Sequence, residues 1–190
     1  MKYLVLDACA RKESRTRKMY EAYLNSLDGE IKILKLYDLD LKPLNEEMLN
    51  RRDLLISLKK FDNEMFDLAN EFKEYDFIIV AAPYWDMSFP SILKVYFENI
   101  SVSGITFIYE NGMPKGLVKA KKLLYLSSCG GYVNNNLGYE YVKELVKMYG
   151  IFDTKYYQID KLDIDPNKEK ELLKNGLEAL KTLQNDKNWF

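Results

Sequence analysis

The sequence predicts an α/β domain: a doubly wound, five-stranded parallel sheet with helices on both faces. Three observations carry this expectation. Short apolar runs alternate along the chain with stretches whose apolar residues recur at helical spacing. The runs are continuous rather than alternating apolar with polar, as strands buried on both faces require. Five such runs are separated by helical stretches, the pattern of parallel strands joined by crossover helices.

Taken in order, Met1 to Asp7 reads as a buried strand, and Ser14 to Leu27 as a helix whose first turn Ser14 can cap. Glu30 to Leu36 is the second strand, rich in Ile and Leu. Tyr37 to Asn50 carries Asp, Pro and Asn and reads as a surface excursion, with Leu41, Leu44 and Met48 available to pack down. From Asp53 to Tyr75, apolar residues at Leu55, Leu58, Phe61, Met65, Phe66, Leu68, Ala69 and Phe72 support one long helix or two short ones. Phe77 to Ala82 is the third strand. Ser88-Phe89-Pro90 opens the next helix with Ser88 as its cap, Ile92, Leu93, Tyr96, Phe97 and Ile100 mark its buried face, and Gly104 closes it. Thr106 to Tyr109 is a short β-like arm ending at the turn signal Asn111-Gly112. Lys122 to Ser127 is the fourth strand. A helix follows, with Val142, Leu145, Val146 and Tyr149 on one side, and ends at Gly150. Phe152 to Ile159 is the fifth strand. After the capping dipeptide Asp165-Pro166, Leu172, Leu173, Leu177, Leu180 and Leu183 line one face of a terminal helix.

A chain of 190 residues with 47% hydrophobic content fits one domain, expected to span residues 1 to 190. The 28 basic and 29 acidic residues leave a net charge of −1, which supplies no field to draw in nucleic acid. No apolar run nears the roughly 20 residues of a membrane helix, and the N-terminus does not read as a signal peptide. The expected address is cytoplasmic, where Cys9 and Cys129 stay reduced. Histidine is absent altogether. That removes the commonest metal ligand and the usual general base, so chemistry here runs on carboxylates, Lys, Tyr, Cys, an oxygen-held metal or a cofactor.

Five strands in this order suggest a flavodoxin-like arrangement, in which ligands sit beyond the carboxyl ends of the strands at the switch point beside the first one. Three loops leave such ends. The first, Ala8 to Thr16, leads into a helix N-terminus whose free amides favour an anion, with Arg11 and Arg15 adding charge and Ser14 and Thr16 hydroxyls. A phosphate monoester fits there, and so does an ordinary cap flanked by solvated basic residues. The loop Pro83-Tyr84-Trp85-Asp86-Met87 puts aromatics where surface loops are usually polar, either to cover a flat ring or to fill core. Ser128-Cys129-Gly130-Gly131-Tyr132 carries paired glycines that let backbone amides approach a ligand, or simply make a tight turn.

Together Pro83-Tyr84-Trp85-Asp86-Met87, Leu93-Lys94-Val95-Tyr96-Phe97, the run from Gly104 to Tyr109, Gly116-Leu117 and Ser128-Cys129-Gly130-Gly131 resemble FMN-dependent NAD(P)H quinone oxidoreductases and azoreductases. The resemblance implies a flavodoxin-like homodimer that binds FMN without covalent attachment, with two active sites at the interface and ping-pong transfer from NAD(P)H to a small planar acceptor. It places Arg11, Ser14, Arg15 and Thr16 at the phosphate, and Pro83 to Met87 along the isoalloxazine edge. Ser128, Cys129, Gly130, Gly131 and Tyr132 fall on its pyrimidine side, and Phe107 and Tyr109 on the arm that closes the partner's pocket. No residue is assigned as catalytic acid or base. Two departures stand out: Trp85-Asp86-Met87 replaces the Tyr-Asn-Phe common in the family, and Ala8 stands where a hydroxyl often helps hold phosphate.

Two other readings remain open. Cys9 to Arg15 fits the C-x5-R pattern of low-molecular-weight tyrosine phosphatases, with Cys9 as nucleophile and Arg15 as phosphate ligand. The interior Lys12 and Glu13 speak against it, since such loops need small residues and Glu13 repels a dianion. The third reading is an FMN electron carrier that turns over no nicotinamide.

Overall fold

The computed structural model describes residues 1–25 and 27–182. Strands β1 (Lys2–Asp7), β2 (Glu30–Lys35), β3 (Phe77–Ala81), β6 (Lys122–Ser128) and β7 (Asp153–Ile159) form one parallel sheet in the order β2-β1-β3-β6-β7. Strands β4 (Phe107–Glu110) and β5 (Met113–Gly116) pair antiparallel in a separate hairpin. Among the described residues there are six α-helices, the first five between strands and the last after β7: α1 (Arg15–Leu24), α2 (Glu46–Ser57), α3 (Asp67–Phe72), α4 (Ser91–Ile100), α5 (Leu137–Met148) and α6 (Glu169–Thr182). The fold is flavodoxin-like.

The pleat explains the two cores. In β1, Tyr3 and Val5 face one side and Leu4 and Leu6 the other; β3 and β6 repeat the alternation with Phe77 and Ile79 against Ile78 and Val80, and Leu124 and Leu126 against Leu123 and Tyr125. One layer buries Met19, Tyr20 and Tyr23 of α1 with Leu180 of α6. The opposite layer buries Phe72 of α3, Leu93, Tyr96 and Phe97 of α4, and Val142 and Val146 of α5. With both faces covered, the central strands β1, β3 and β6 have no polar face to show, whereas the edge strand β2 exposes Glu30, Lys32 and Lys35.

Several element boundaries differ from the sequence expectation. The excursion after β2 contains the start of α2, capped by the Asn45 carboxamide, which accepts from the Met48 amide. This helix buries no residue fully, so its weak apolar stripe hid its start. The stretch from Asp53 to Tyr75 holds the end of α2 and the short α3, separated by a 3-10 turn at Glu64–Phe66. Ser88 does not cap α4. Its backbone instead closes a tight turn with Trp85, and α4 begins behind Pro90 without a side-chain cap. The expected Leu183 contact lies outside the described residues.

Candidate functional site

β1, β3 and β6 are neighbours at the centre of the sheet, and the chain reverses strand order at β1. The loops after these three strands therefore meet at one edge, the position where open α/β sheets leave a crevice. A cleft of about 220 Å³ lies there, lined by Ala10, Arg11, Glu13, Ser14, Arg15, Pro83, Tyr84, Trp85, Ser128, Gly130 and Asp163.

The first loop is built around a buried ion pair. Asp7, the last residue of β1, is 1% exposed and its carboxylate accepts from the Cys9 amide, the Tyr20 hydroxyl and Arg17 Nε. Burial works against the Arg17 charge, but the hydrogen bond and charge of Asp7 outweigh it and raise the guanidinium pKa further. The same guanidinium donates to the carbonyls of Cys9, Arg11 and Lys12 at 2.9 to 3.0 Å. In a trans peptide the N–H lies opposite its C=O, so the amides of Ala10, Lys12 and Glu13 turn away from Arg17. Beyond them, the Ser14 hydroxyl caps α1 by accepting from the Arg17 amide, and the first amides of the helix, on Arg15 and Thr16, have no intrahelical acceptor. Free amides beside two arginines form an anion site.

The other two loops are pinned together. The Tyr84 amide donates to the Ser128 carbonyl at 3.0 Å, and Ser128 Oγ pairs with Thr16 Oγ1 at 2.7 Å. Beyond Tyr84, the Trp85 and Ser88 backbones exchange hydrogen bonds of 3.0 and 2.7 Å, with positive φ at Asp86 (+48°) and Met87 (+67°). Two central residues with φ above zero make a primed turn, a conformation that costs non-glycine residues about 1 kcal/mol or more each. The loop after β6 is held by the loop after β7: Cys129 donates to the Ile159 carbonyl, Leu162 donates to the Cys129 carbonyl, and Asp163 donates to the Gly130 carbonyl. A Cβ on Gly130 would fall on the Asp163 carboxylate, so glycine permits that close approach.

Most of the residues singled out in the sequence come together here. Arg11, Ser14, Arg15, Pro83, Tyr84, Trp85, Ser128 and Gly130 line the cleft. Thr16 lies behind it with its hydroxyl fully buried against Ser128, leaving only its amide for an anion. Asp86 and Met87 are exposed at the turn, Cys129 is half-buried within the loop after β6, and Gly131 and Tyr132 are exposed beyond it, where Lys161 Nζ lies 5.2 Å from the Tyr132 ring centroid. Phe107 is buried in its own core, and it supports the exposed Tyr109 edge-on at 5.5 Å. Of that pair, Tyr109 is the one presented outward from the hairpin.

The sequence reading missed three charged residues. Asp7 and Arg17 had a signal, an acid closing an otherwise apolar strand with an arginine one helical turn into α1. Asp163 had none, because only the return of the loop after β7 brings it to the cleft. The same geometry removes Cys9 as a nucleophile. Its side chain is 3% exposed, Sγ faces the Ala81 carbonyl, and burial followed by the Asp7 charge raises the thiol pKa far above its ordinary value. Ala8 is fully buried, its amide bonded to Ala81, so its lack of a hydroxyl follows from a core position.

The sequence profile of the family described as "Flavodoxin-like fold" matches residues 1–183. An FMN-dependent NADH:quinone oxidoreductase from Clostridium perfringens is 34% identical over 174 residues, covering 87% of this chain and 88% of that protein. A second FMN-dependent NADH:quinone oxidoreductase, from Clostridium acetobutylicum, is 31% identical and covers 95% and 96% of the two chains. Among solved structures, an azoreductase from Bacillus anthracis str. Sterne superposes with a TM-score of 0.84 at 23% identity, covering 96% of this chain and 98% of that one. An FMN-dependent NADH-azoreductase from Bacillus anthracis str. Ames Ancestor, solved in complex with FMN, superposes with a TM-score of 0.78 at 22% identity, covering 96% and 99%. At these identities the two structures establish a shared fold.

Proposed function

This chain belongs to the flavodoxin-like family, and from that premise we propose that it is an FMN-dependent NAD(P)H oxidoreductase of the quinone reductase or azoreductase type. One observation carries the reading: the cleft at the switch point combines an anion site at the α1 N-terminus with an aromatic wall and a glycine-bearing wall at the ends of β3 and β6. These residues fit FMN. The amides of Arg15 and Thr16, the Ser14 hydroxyl and the Arg11 and Arg15 side chains would hold its phosphate; Pro83, Tyr84 and Trp85 would flank the ring; and Ser128 and Gly130 would meet its polar edge. The relatives, more than 30% identical over nearly their full length, carry FMN and NADH in their names.

The chemistry FMN supplies when bound is two-electron exchange, taking hydride from NAD(P)H and returning it to an acceptor in ping-pong order. The protein's part is alignment and charge. Fixed walls bring planar reactants to roughly 3 to 3.5 Å contact, and preorganised amides stabilise negative charge near the ring. No histidine is needed for either task, and among the described residues no cluster of acidic or cysteine side chains is arranged to hold a metal.

A homodimer completes the site in this reading. The cleft, at about 220 Å³, is smaller than the ~300–1,000 Å³ typical of a pocket that encloses a ligand of this size. Tyr109 and Met113, 63% and 69% exposed on the β4–β5 hairpin, are the residues offered to a second copy. Among the described residues no helix is long and apolar enough to cross a membrane. A cytoplasmic setting, which keeps Cys9 and Cys129 as free thiols, belongs to the same proposal.

The test is spectroscopic. Protein reconstituted with FMN and desalted should stay yellow, and the flavin band should bleach on mixing with NADH or NADPH and recover on adding a quinone. A colourless product removes the flavin; a yellow product that neither nucleotide bleaches leaves only an electron carrier.

A further inference from the structure

The anion site contains its own anion. Asp163 lines the same cleft as Arg11, Ser14 and Arg15, and its Oδ1 lies 2.7 Å from Arg15 Nη1. Glu169, at the start of α6, approaches the same nitrogen at 3.6 Å. Glu13 also lines the cleft, but its exposed carboxylate pairs with Lys18 at 3.7 Å. Arg15 is therefore faced by two acids before any ligand arrives. The hydrogen bond from Arg15, followed by the charges of Arg15 and Arg11, holds the Asp163 carboxyl below the usual carboxylate range. Asp163 is thus ionised at neutral pH.

Its placement is specific. The Asp163 amide donates to the Gly130 carbonyl at 2.9 Å, fixing the backbone, and the absence of a Cβ on Gly130 leaves room for the carboxylate beside the loop. The side chain itself remains 64% exposed. A phosphate monoester arriving at the α1 N-terminus must either take Arg15 from Asp163, leaving an uncompensated carboxylate beside it, or bind without the Arg15 charge. Both outcomes subtract from the charge-assisted part of its binding.

We propose that Asp163 is a built-in competitor for Arg15, a specificity determinant that lowers the chain's affinity for the phosphate of FMN and narrows its preference for FMN over riboflavin. The proposal rests on the flavin reading above. It makes the bound flavin exchangeable, held chiefly through its ring and only weakly through its tail.

Calorimetric titration of the apoprotein and its Asp163→Asn variant with FMN and with riboflavin tests it. Asparagine keeps the backbone bond and the side-chain volume. The variant should bind FMN about fivefold tighter or more, the order expected from removing one exposed charge roughly 4 Å from another, and riboflavin with unchanged affinity. Glu169→Gln should move FMN affinity the same way by less. Unchanged or weakened FMN binding in Asp163→Asn would mean that the carboxylate merely orients Arg15, and overturns the proposal. Equal tightening toward both flavins overturns it too, since the effect would not then lie at the phosphate. If wild-type protein binds neither flavin, the flavin reading itself fails and takes this proposal with it.

Discussion

The hydroxyls of Thr16 and Ser128 lie 2.7 Å apart, buried, and join the first turn of α1 to the end of β6 across 112 residues of sequence. The bond fixes the distance between the anion end of the cleft and its glycine-bearing wall. Removing one hydroxyl leaves the other buried, and an unsatisfied buried group costs about 1–3 kcal/mol. Thr16→Val and Ser128→Ala should each destabilise by that order in urea denaturation, and the double variant by less than their sum. Strict additivity would show that the two hydroxyls do not bond.

Arg17 should matter more for stability than any other arginine. It neutralises the buried Asp7 and gathers three loop carbonyls, so Arg17→Met leaves a carboxylate unpaired in the interior. The expected loss is about 3–5 kcal/mol. Asp7→Asn with Arg17→Met should recover part of it, because no buried charge remains. The midpoint and slope of denaturant unfolding check both, and a loss below ~1 kcal/mol for Arg17→Met would contradict the clamp.

The two cysteines should differ sharply toward iodoacetamide at pH 8. Cys9 is buried with its thiol pKa raised, first by burial and then by Asp7, so almost no thiolate forms there. Cys129 is partly exposed and should carry the label in the native protein. Peptide mapping by mass spectrometry reads the result directly. Prompt modification of Cys9 would reopen the nucleophile reading of the first loop.

The Trp85–Ser88 turn spends stability at its two central residues. Met87 holds φ +67° without glycine's freedom, and its side chain is 60% exposed, so little packing offsets the strain. Met87→Gly should raise stability by about 1 kcal/mol, a few degrees in Tm for a chain of this size. A fall in Tm would show that the Tyr84 hydroxyl to Met87 sulfur contact at 3.4 Å outweighs the backbone.

The glycines give a sharper contrast. A Cβ on Gly116 would fall on the Tyr149–Gly150 backbone, which has no side chain to move aside, whereas Gly131 has nothing within 4 Å. Gly116→Ala should therefore destabilise by about 1–3 kcal/mol or more, and Gly131→Ala should leave the melting temperature nearly unchanged.

The architecture is written in residue type and spacing, because continuous apolar runs such as Leu4 to Leu6 and Ile78 to Val80 are satisfied by burial on both faces of a sheet. The sequence also marked the three loops, since aromatic and glycine-rich segments at strand ends leave a compositional trace. It could not place α2, whose residues are mostly exposed and carry no strong period, nor show that the Thr16 hydroxyl and the Phe107 ring are buried. The charge pairing around the cleft became visible with the folded chain. Asp163 and Arg15 stand 148 residues apart and meet only because β6 and β7 are neighbours, and Arg17 becomes a clamp only when β1 delivers Asp7 to its guanidinium. Burial pattern is written locally, in residue type and spacing; charge pairing depends on distances that exist only once the strands have taken their order.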